Sequence, residues 1–189
     1  MKKTLLLITL FLLVACAYSP QQITINPSVD TSAEDYGRGR PVQIVVEDHR
    51  AVKELGSRGG VYKDTSLITI GNSITEAIAG AAEARLAIQG FNTNSIDADA
   101  ATVKIIIDSL SYDTPVQSVG KKIKLDAILK LEMTAGNELY TGQYKSSTER
   151  KTVVTPSMES NEEMVNAIIS STLNRLFADP KLKAFLSNI

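Results

Sequence analysis

The stretch Lys122–Met133, KIKLDAILKLEM, has the clearest pattern in the chain. Apolar side chains alternate along it with mostly charged ones; the apolar set is Ile123, Leu125, Ala127, Leu129, Leu131 and Met133. Because successive side chains of a strand point to opposite faces, this period of two predicts a β-strand with one buried and one solvated face. A half-solvated strand is typical of an antiparallel sheet.

The segments on either side add further strands and two helices. β-rich runs predict strands at Pro41–Asp48, Ser66–Ile70, Thr102–Tyr112, Lys122–Met133 and Glu138–Arg150. The first helix should begin after Ser73, with Glu76 completing a capping box, and should end at Gly90. A second capping box, Ser160 with Glu163, predicts the start of the second helix.

The element order defines the predicted fold class. Asp179-Pro180 should end the second helix, and residues 181–189 should add a last amphipathic turn or two. The resulting order is β-β-α-β-β-β-α-α. We predict an α+β fold, an antiparallel or mixed sheet with two main helices packed on one face.

Composition excludes several functional classes. The 189 residues are 43% hydrophobic and 22% charged, with a formal net charge of −1, which suits one globular domain and not a nucleic-acid binder with a basic surface. The single Cys and the single His exclude an internal disulfide framework and zinc sites built on several such ligands. We expect no cofactor, no metal site and no nucleic-acid partner.

The N-terminus has the features of a lipoprotein signal peptide. Lys2 and Lys3 precede an apolar run over Leu5–Ala15, which is shorter than the roughly 18–20 residues of a membrane-spanning helix. The run ends in Leu13-Val14-Ala15-Cys16, which resembles the bacterial lipobox, whose Cys thiol accepts a diacylglycerol. We predict that residues 1–15 are removed and that Cys16 is lipidated. The alternative is an ordinary signal peptide with an incidental Cys.

Residues beyond Cys16 predict where the protein is held. Residue 17 is Ala rather than Asp, which by the sorting rule of enteric lipoproteins predicts the outer membrane, with the domain facing the periplasm. Residues 17–40 are rich in polar residues and Pro, with only Ile23 and Ile25 suggesting a short strand. We predict a lipidated, flexible tether over residues 16–40 that spans about 25–30 Å. A single periplasmic domain should follow over residues 41–189.

No group of residues predicts catalysis. Asp48 and His49 could form an acid/base pair, but neighbouring strand residues point to opposite faces, so we interpret His49 as a solvated side chain. Gly56–Gly60 lacks the spacing of a phosphate-binding loop. Asp97 and Asp99 lack the turn Gly and distal Glu of a calcium loop. We therefore expect no catalytic residue in this chain.

The irregular segment Arg50–Thr65 is the predicted contact surface for a partner, because recognition residues concentrate on loops of a rigid scaffold. Its predicted contact residues are Arg50, Arg58, Tyr62 and Lys63. A mobile spacer is the alternative. Lys121, Lys122 and Lys124 are interpreted as a solvated face that discourages edge-to-edge pairing of sheets.

Several stretches resemble the YajG family of bacterial lipoproteins. They are the lipobox, Ile23–Pro27, Val42–Arg50, Arg85–Asn92, the Ile123–Met133 strand and the final helix. The resemblance covers nearly the whole chain in order and length. It implies a lipid-anchored outer-membrane lipoprotein, and Cys16 is the one functional residue that it brings to this chain.

Two functions are open at this point. The first is a non-enzymatic lipoprotein that binds an envelope protein or a cell-wall partner; a regulator of peptidoglycan synthases is a specific version, by fold-level analogy. The second is an envelope enzyme acting on muropeptides or lipid. A deep pocket with convergent polar groups near Asp48, His49 or residues 97–99 would favour the enzyme.

Overall fold

A computed structural model describes residues 19–32, 34–60, 63–95, 97, 100–117 and 120–188. The strands are β1 (Gln21–Ile23), β2 (Val42–Asp48), β3 (Gly56–Ser57), β4 (Leu67–Ile70), β5 (Ala101–Asp113), β6 (Lys121–Ala135) and β7 (Glu138–Thr152). The helices are α1 (Ile74–Ile88), α2 (Met158–Phe177) and α3 (Pro180–Asn188), with a 3₁₀ turn at Lys63–Thr65. The predicted α+β fold is confirmed, and the order of elements matches apart from the two short strands β1 and β3.

The strands form one mixed sheet. Its order is β1-β4-β3-β5-β6-β7, and β2 also pairs with β5. β6 is antiparallel to both β5 and β7, whereas β2 runs parallel to β5. β2 covers one edge of β5 over Ala101–Ile107, and β3 meets the same edge at Tyr112. The chain therefore leaves β2 and returns to the same edge of β5 within the Arg50–Thr65 segment, at β3.

The interior strand β6 contributes one face to the core, as its alternation predicts. Its six apolar side chains at odd positions from Ile123 to Met133 are all at most 2% exposed. Val103, Ile105 and Ile107 of β5 face the same side, because they are the register partners of Met133, Leu131 and Leu129. The buried side chains of α1, α2 and α3 belong to the same hydrophobic core.

The opposite face of the sheet is polar. Ion pairs cross neighbouring strands there, including Lys104 with Glu47 at 3.1 Å and Lys130 with Asp108 at 2.5 Å. Asp108 stands at a register shift between Ile107 and Ser109. This bulge explains why the alternation of β5 is imperfect, since one extra residue reverses the faces that follow it.

The limits of α1 agree with the sequence, and those of α2 do not. The Ser73 hydroxyl accepts the Glu76 backbone N–H at 3.2 Å, and Gly90 ends α1 with φ at 85°. The predicted start of α2 at Ser160 is wrong by three residues, because the Ser157 hydroxyl caps the helix and accepts the Ser160 backbone N–H at 3.2 Å. Both serines fit a cap, and the earlier one leaves fewer backbone donors unpaired.

The predicted flexible tether over residues 16–40 is wrong for its described part. β1 pairs in parallel with β4, and Ile23 and Ile25 are almost fully buried. Further along, the Tyr36 and Gly37 backbone N–H groups donate to the Gln89 carbonyl oxygen. This polar segment lies on the body because partners in α1, α2 and β4 satisfy its backbone groups, which composition alone does not show.

A ladder of hydrogen bonds fastens this segment along α2. Every second backbone N–H donates to a side chain one helical turn further on: Thr24 to Glu162 at 2.7 Å, Asn26 to Asn166 at 2.7 Å, Ser28 to Ser170 at 2.9 Å and Asp30 to Asn174 at 2.8 Å. Two extended residues rise about 6.6 Å and four helical residues about 6 Å, so the two repeats match. The sequence signal for it is the alternation of Ile23, Ile25, Pro27 and Val29.

Candidate functional site

The described chain begins at one end of the sheet, three residues after Cys16. The Ser19 carbonyl oxygen accepts a hydrogen bond from Arg58 Nη1 at 3.0 Å, and Arg58 Nη2 donates to the Pro156 carbonyl oxygen at 3.3 Å. Arg58 is only 6% exposed. We call this end the proximal end; it comprises Ser19 with residues 58–60, 63, 114–117, 120–122 and 150–157. One buried guanidinium thus fixes the start of the described chain to the connection between β7 and α2.

Buried polar groups behind Arg58 fix β1 to α2. Asn161, which is fully buried, is hydrogen-bonded to the Gln21 side-chain amide at 2.7 Å and accepts the Tyr112 hydroxyl at Oδ1 at 2.8 Å. Burial raises the pKa of Tyr112 to about 12, against the opposing effect of the Arg58 cation. The hydroxyl is protonated at physiological pH and donates to Asn161, which joins β5 to α2 at this end.

The proximal end exposes apolar side chains. Val116 is 92% exposed, Val153 88% and Val154 66%, the highest values among the large apolar side chains of the described residues. The two connections that carry them are adjacent, because Lys121 at the start of β6 pairs in register with Thr152 at the end of β7. Clustered exposed apolar side chains mark an interaction surface, whereas single ones do not.

Basic side chains surround these valines. Lys122 and Lys151 are direct register partners on the polar face, a placement that costs stability because like charges lie opposite each other. Lys122 also pairs with Glu149 at 2.8 Å. Lys63 and Arg150 are exposed nearby. Edge protection does not explain the lysines at the start of β6, because β6 lies between β5 and β7.

Two of the predicted partner contacts serve the fold instead. Arg50 is 6% exposed and binds Asp48 with two hydrogen bonds of 2.9 Å. Arg58 is also 6% exposed and binds the Ser19 and Pro156 carbonyl oxygens. The prediction that these two guanidinium groups face a partner is therefore corrected. Lys63 is exposed at the proximal end. Tyr62 and Cys16 lie outside the described residues.

The residues considered for catalysis do not converge. His49 Nε2 lies 2.8 Å from Glu47 and the imidazole is largely exposed. Asp48 faces Arg50 and also Lys53, whose ammonium is 3.0 Å away. Hydrogen bonds from Arg50 lower the pKa of Asp48 far below its ordinary range, so Asp48 is a permanent anion and no general acid. It lines a cleft of about 430 Å³ between β2 and α1.

Neither member of the acidic pair forms a described metal site. Asp97 accepts the Gln43 side-chain amide at its backbone carbonyl at 3.2 Å, and Asp99 lies outside the described residues. Within the described ranges, no three His, Cys, Asp or Glu side chains are grouped as a metal site needs. No helix in those ranges is long and apolar enough to span a membrane.

Comparison with known families identifies the class of protein. A family described as "Uncharacterized lipoprotein" matches residues 27–187. The chain belongs to this lipoprotein family. The matched region includes residues 27–40, in agreement with their place on the folded body. The lipoprotein part of the resemblance is confirmed, and the YajG assignment stays a prediction. No curated protein sequence matches significantly.

Several solved structures are similar to this chain. Protein XCC0632 from Xanthomonas campestris has 9% identity and a TM-score of 0.55, over 84% of this chain and 91% of that one. Rare lipoprotein B from Shewanella oneidensis has 14% identity and a TM-score of 0.43, over 77% and 95%. Lipoprotein GNA1162 from Neisseria meningitidis has 12% identity and a TM-score of 0.29, over 74% and 99%. At these identities the likeness to XCC0632 shows the fold alone.

Proposed function

We propose that this protein is a non-enzymatic outer-membrane lipoprotein. A lipid on Cys16 anchors it, its domain lies against the periplasmic surface of the membrane, and the domain there binds a protein or cell-wall partner. Membership of a lipoprotein family supports the anchor. The observation that carries the proposal is the fixed position of Ser19, three residues after Cys16 and bound to Arg58.

The short connection limits how far the body can stand from the membrane. Three residues span at most about 11 Å even when fully extended. The lipid on Cys16 therefore holds Ser19 within about that distance of its own attachment point. Because Ser19 is hydrogen-bonded to the folded body, the anchor restrains the orientation of the domain as well as its position. A second or third acyl chain makes such anchoring stable, since one chain alone binds marginally.

The opposite end of the molecule is turned away from the membrane in this arrangement. It contains the turn between β6 and β7, where Leu139 is 64% exposed, and a cleft of about 390 Å³ beside Pro41 and Gly136. This distal end is the surface available to a partner in the periplasm, including a protein of peptidoglycan synthesis. The proposal thus gives the two ends of the sheet different roles.

Mass spectrometry of the mature N-terminal peptide tests the anchor. We expect cleavage before Cys16 and the added mass of a diacylglycerol thioether. Cys16→Ser should stay uncleaved, and because Cys16 is the only Cys in the chain, no second thiol can replace it. An unmodified Cys16, or cleavage elsewhere, overturns the proposal. Ala17→Asp should move the lipidated protein to the inner membrane; unchanged fractionation contradicts outer-membrane sorting.

A photo-crosslinking residue at position 139 tests the partner-binding role in cells. We expect a defined adduct with an envelope protein or with peptidoglycan from position 139, and none from the exposed control position Glu83 on α1. If His49→Ala instead abolishes a measurable hydrolytic activity of the purified lipoprotein, the enzyme alternative replaces this proposal.

A further inference from the structure

We infer that the proximal end is a lipid-contact surface. Val116, Val153 and Val154 lie among the headgroups of the anchoring membrane, and lysines beside them meet phospholipid phosphates; these are Lys63, Lys121, Lys122 and Lys151. The inference rests on the proposed anchoring through Cys16. It goes beyond that anchoring, because a lipid on Cys16 alone leaves the rest of this end in water.

The parts of the surface are joined into one unit. Arg58 binds the Ser19 and Pro156 carbonyl oxygens with one guanidinium, and the Lys121 ammonium donates to the Thr155 hydroxyl. A Cβ on Gly120 would lie 3.1 Å from the Thr152 carbonyl oxygen, which shows how closely the β5–β6 connection approaches the end of β7. An orientation of the domain that places Ser19 near the membrane therefore also places the β5–β6 and β7–α2 connections near the membrane.

The length of chain outside the described fold selects a bilayer as the occupant. Residues 17 and 18 alone separate Cys16 from Ser19, so the body cannot lie more than about 11 Å from the lipidated residue. The headgroup layer on each side of a bilayer is itself roughly 5–8 Å thick. A soluble partner would have to fit into the space that this short connection leaves, whereas lipid is already there.

The side chains suit an interface of this kind. Three exposed valines provide apolar surface that gains from leaving water. Among the described residues, the Lys151 and Lys63 ammonium groups have no acidic partner within 4 Å, so both are available to phosphate. Acidic groups at this end are Asp64, Asp113 and Glu159, with Glu149 bound to Lys122. The basic groups outnumber them, which favours a leaflet that contains anionic lipid.

Depth measurements on the full lipidated protein in vesicles test the apolar contact. Val116→Cys and Val153→Cys are each labelled with a fluorophore, and Leu139→Cys is the matched control at the far end of the same hairpin, about 40 Å away. A lipidated Cys16 has no free thiol, so each variant carries one label. We expect a quencher attached to lipid tails to quench the first two labels several-fold more strongly than the control.

Charge reversal tests the contact with phosphates in vesicles containing roughly one-quarter anionic phosphatidylglycerol. The labelled Val153→Cys protein should lose quenching when Lys122→Glu and Lys151→Glu are added. Loss of one positive charge corresponds to about a five-fold shift in the ratio of membrane-seated to lifted-off molecules, so each reversal should shift this ratio at least that much. Lys181→Glu in α3, at the distal end, is the control for one such reversal and should leave quenching unchanged.

The outcomes separate this inference from the proposed anchoring. Mass spectrometry of the same preparation reports the lipid on Cys16. If the lipid is present and labels at positions 116 and 153 are quenched no more than the label at 139, the lipid-contact surface is wrong while the anchor stands. Protection of both labels from an aqueous quencher without quenching by lipid means that a protein covers this end, and also overturns the inference. An unmodified Cys16 overturns both.

Discussion

Arg58 joins two segments that are far apart in the sequence, and it does so by satisfying their backbone carbonyls. We expect Arg58→Met, which keeps most of the apolar stem, to lower the free energy of unfolding by about 1–3 kcal/mol, because the Ser19 and Pro156 carbonyl oxygens lose their buried donors. Urea denaturation measures this loss. Arg150→Met, at an exposed position nearby, should change stability by no more than about 0.5 kcal/mol. Equal losses in the two variants would show that the bridge contributes nothing.

Asp179 accepts hydrogen bonds from two tyrosine hydroxyls at the distal end. Tyr140 and Tyr144 donate to its Oδ2 at 2.7 and 2.8 Å. Burial opposes ionisation of Asp179, but the hydrogen bonds from Tyr140, Tyr144 and the Lys181 backbone N–H outweigh it and lower the pKa. Burial raises the pKa of Tyr144, so it stays a donor.

This lowered pKa gives a pH-dependent prediction. A carboxyl whose pKa is lower in the folded protein contributes stability that is complete above its unfolded value, near 3.9, and is lost as the pH falls through the folded value. Asp179→Asn should therefore be less stable than the wild type at pH 7, and the difference should shrink below about pH 4. Unfolding free energies measured from pH 7 to pH 2 check this; a difference that is constant or grows on acidification contradicts it.

At the scale of elements, neighbouring residues of β6 differ in burial, because they lie on opposite faces of the sheet. Leu129 is 2% exposed, so Leu129→Ala should cost about 2–5 kcal/mol through lost burial and the cavity left behind. Lys130→Ala should cost less than about 1 kcal/mol, because its ion pair with Asp108 is partly exposed. Similar losses in urea melts would mean that the strand is shifted by one residue.

A single substitution in α2 can remove one step of the hydrogen-bond ladder. The Asn166 side chain accepts the Asn26 backbone N–H and donates to the Thr24 carbonyl oxygen at 2.9 Å. Asn166→Ala should lower stability by about 1–2 kcal/mol and speed hydrogen exchange at the Asn26 amide. Glu163→Ala, on an exposed side of the same helix, is the control. Unchanged exchange at Asn26 would show that another group holds this segment.

The elements differ in how far the sequence could predict them. Strand β6 and helix α1 follow from local signals, alternation in one and a capping serine with a terminal glycine in the other. The ladder depends on matching two polar segments some 140 positions apart, and each looks solvated when read alone. For the same reason Arg58 reads as a surface residue, since its partners Ser19 and Pro156 lie 39 and 98 positions away in the sequence.

At the scale of the whole molecule, the fold places the start of the chain, three exposed valines and several lysines at one end of the sheet. The sequence indicated the anchor at Cys16, but it suggested that 24 flexible residues separate the anchor from the domain. The structure leaves only residues 17 and 18 between Cys16 and the first described residue. An anchored domain with so short a connection lies on the membrane, whereas one on a long tether samples the periplasm.

Neutron reflectometry of the lipidated protein on a supported bilayer tests this central claim most directly. The profile gives the thickness of the water layer between the headgroups and the protein. We predict that the protein layer begins at the headgroups, with a gap no wider than the roughly 11 Å that three extended residues can span. A hydrated gap of about 25–30 Å, as a flexible tether of 24 residues would give, would contradict the claim.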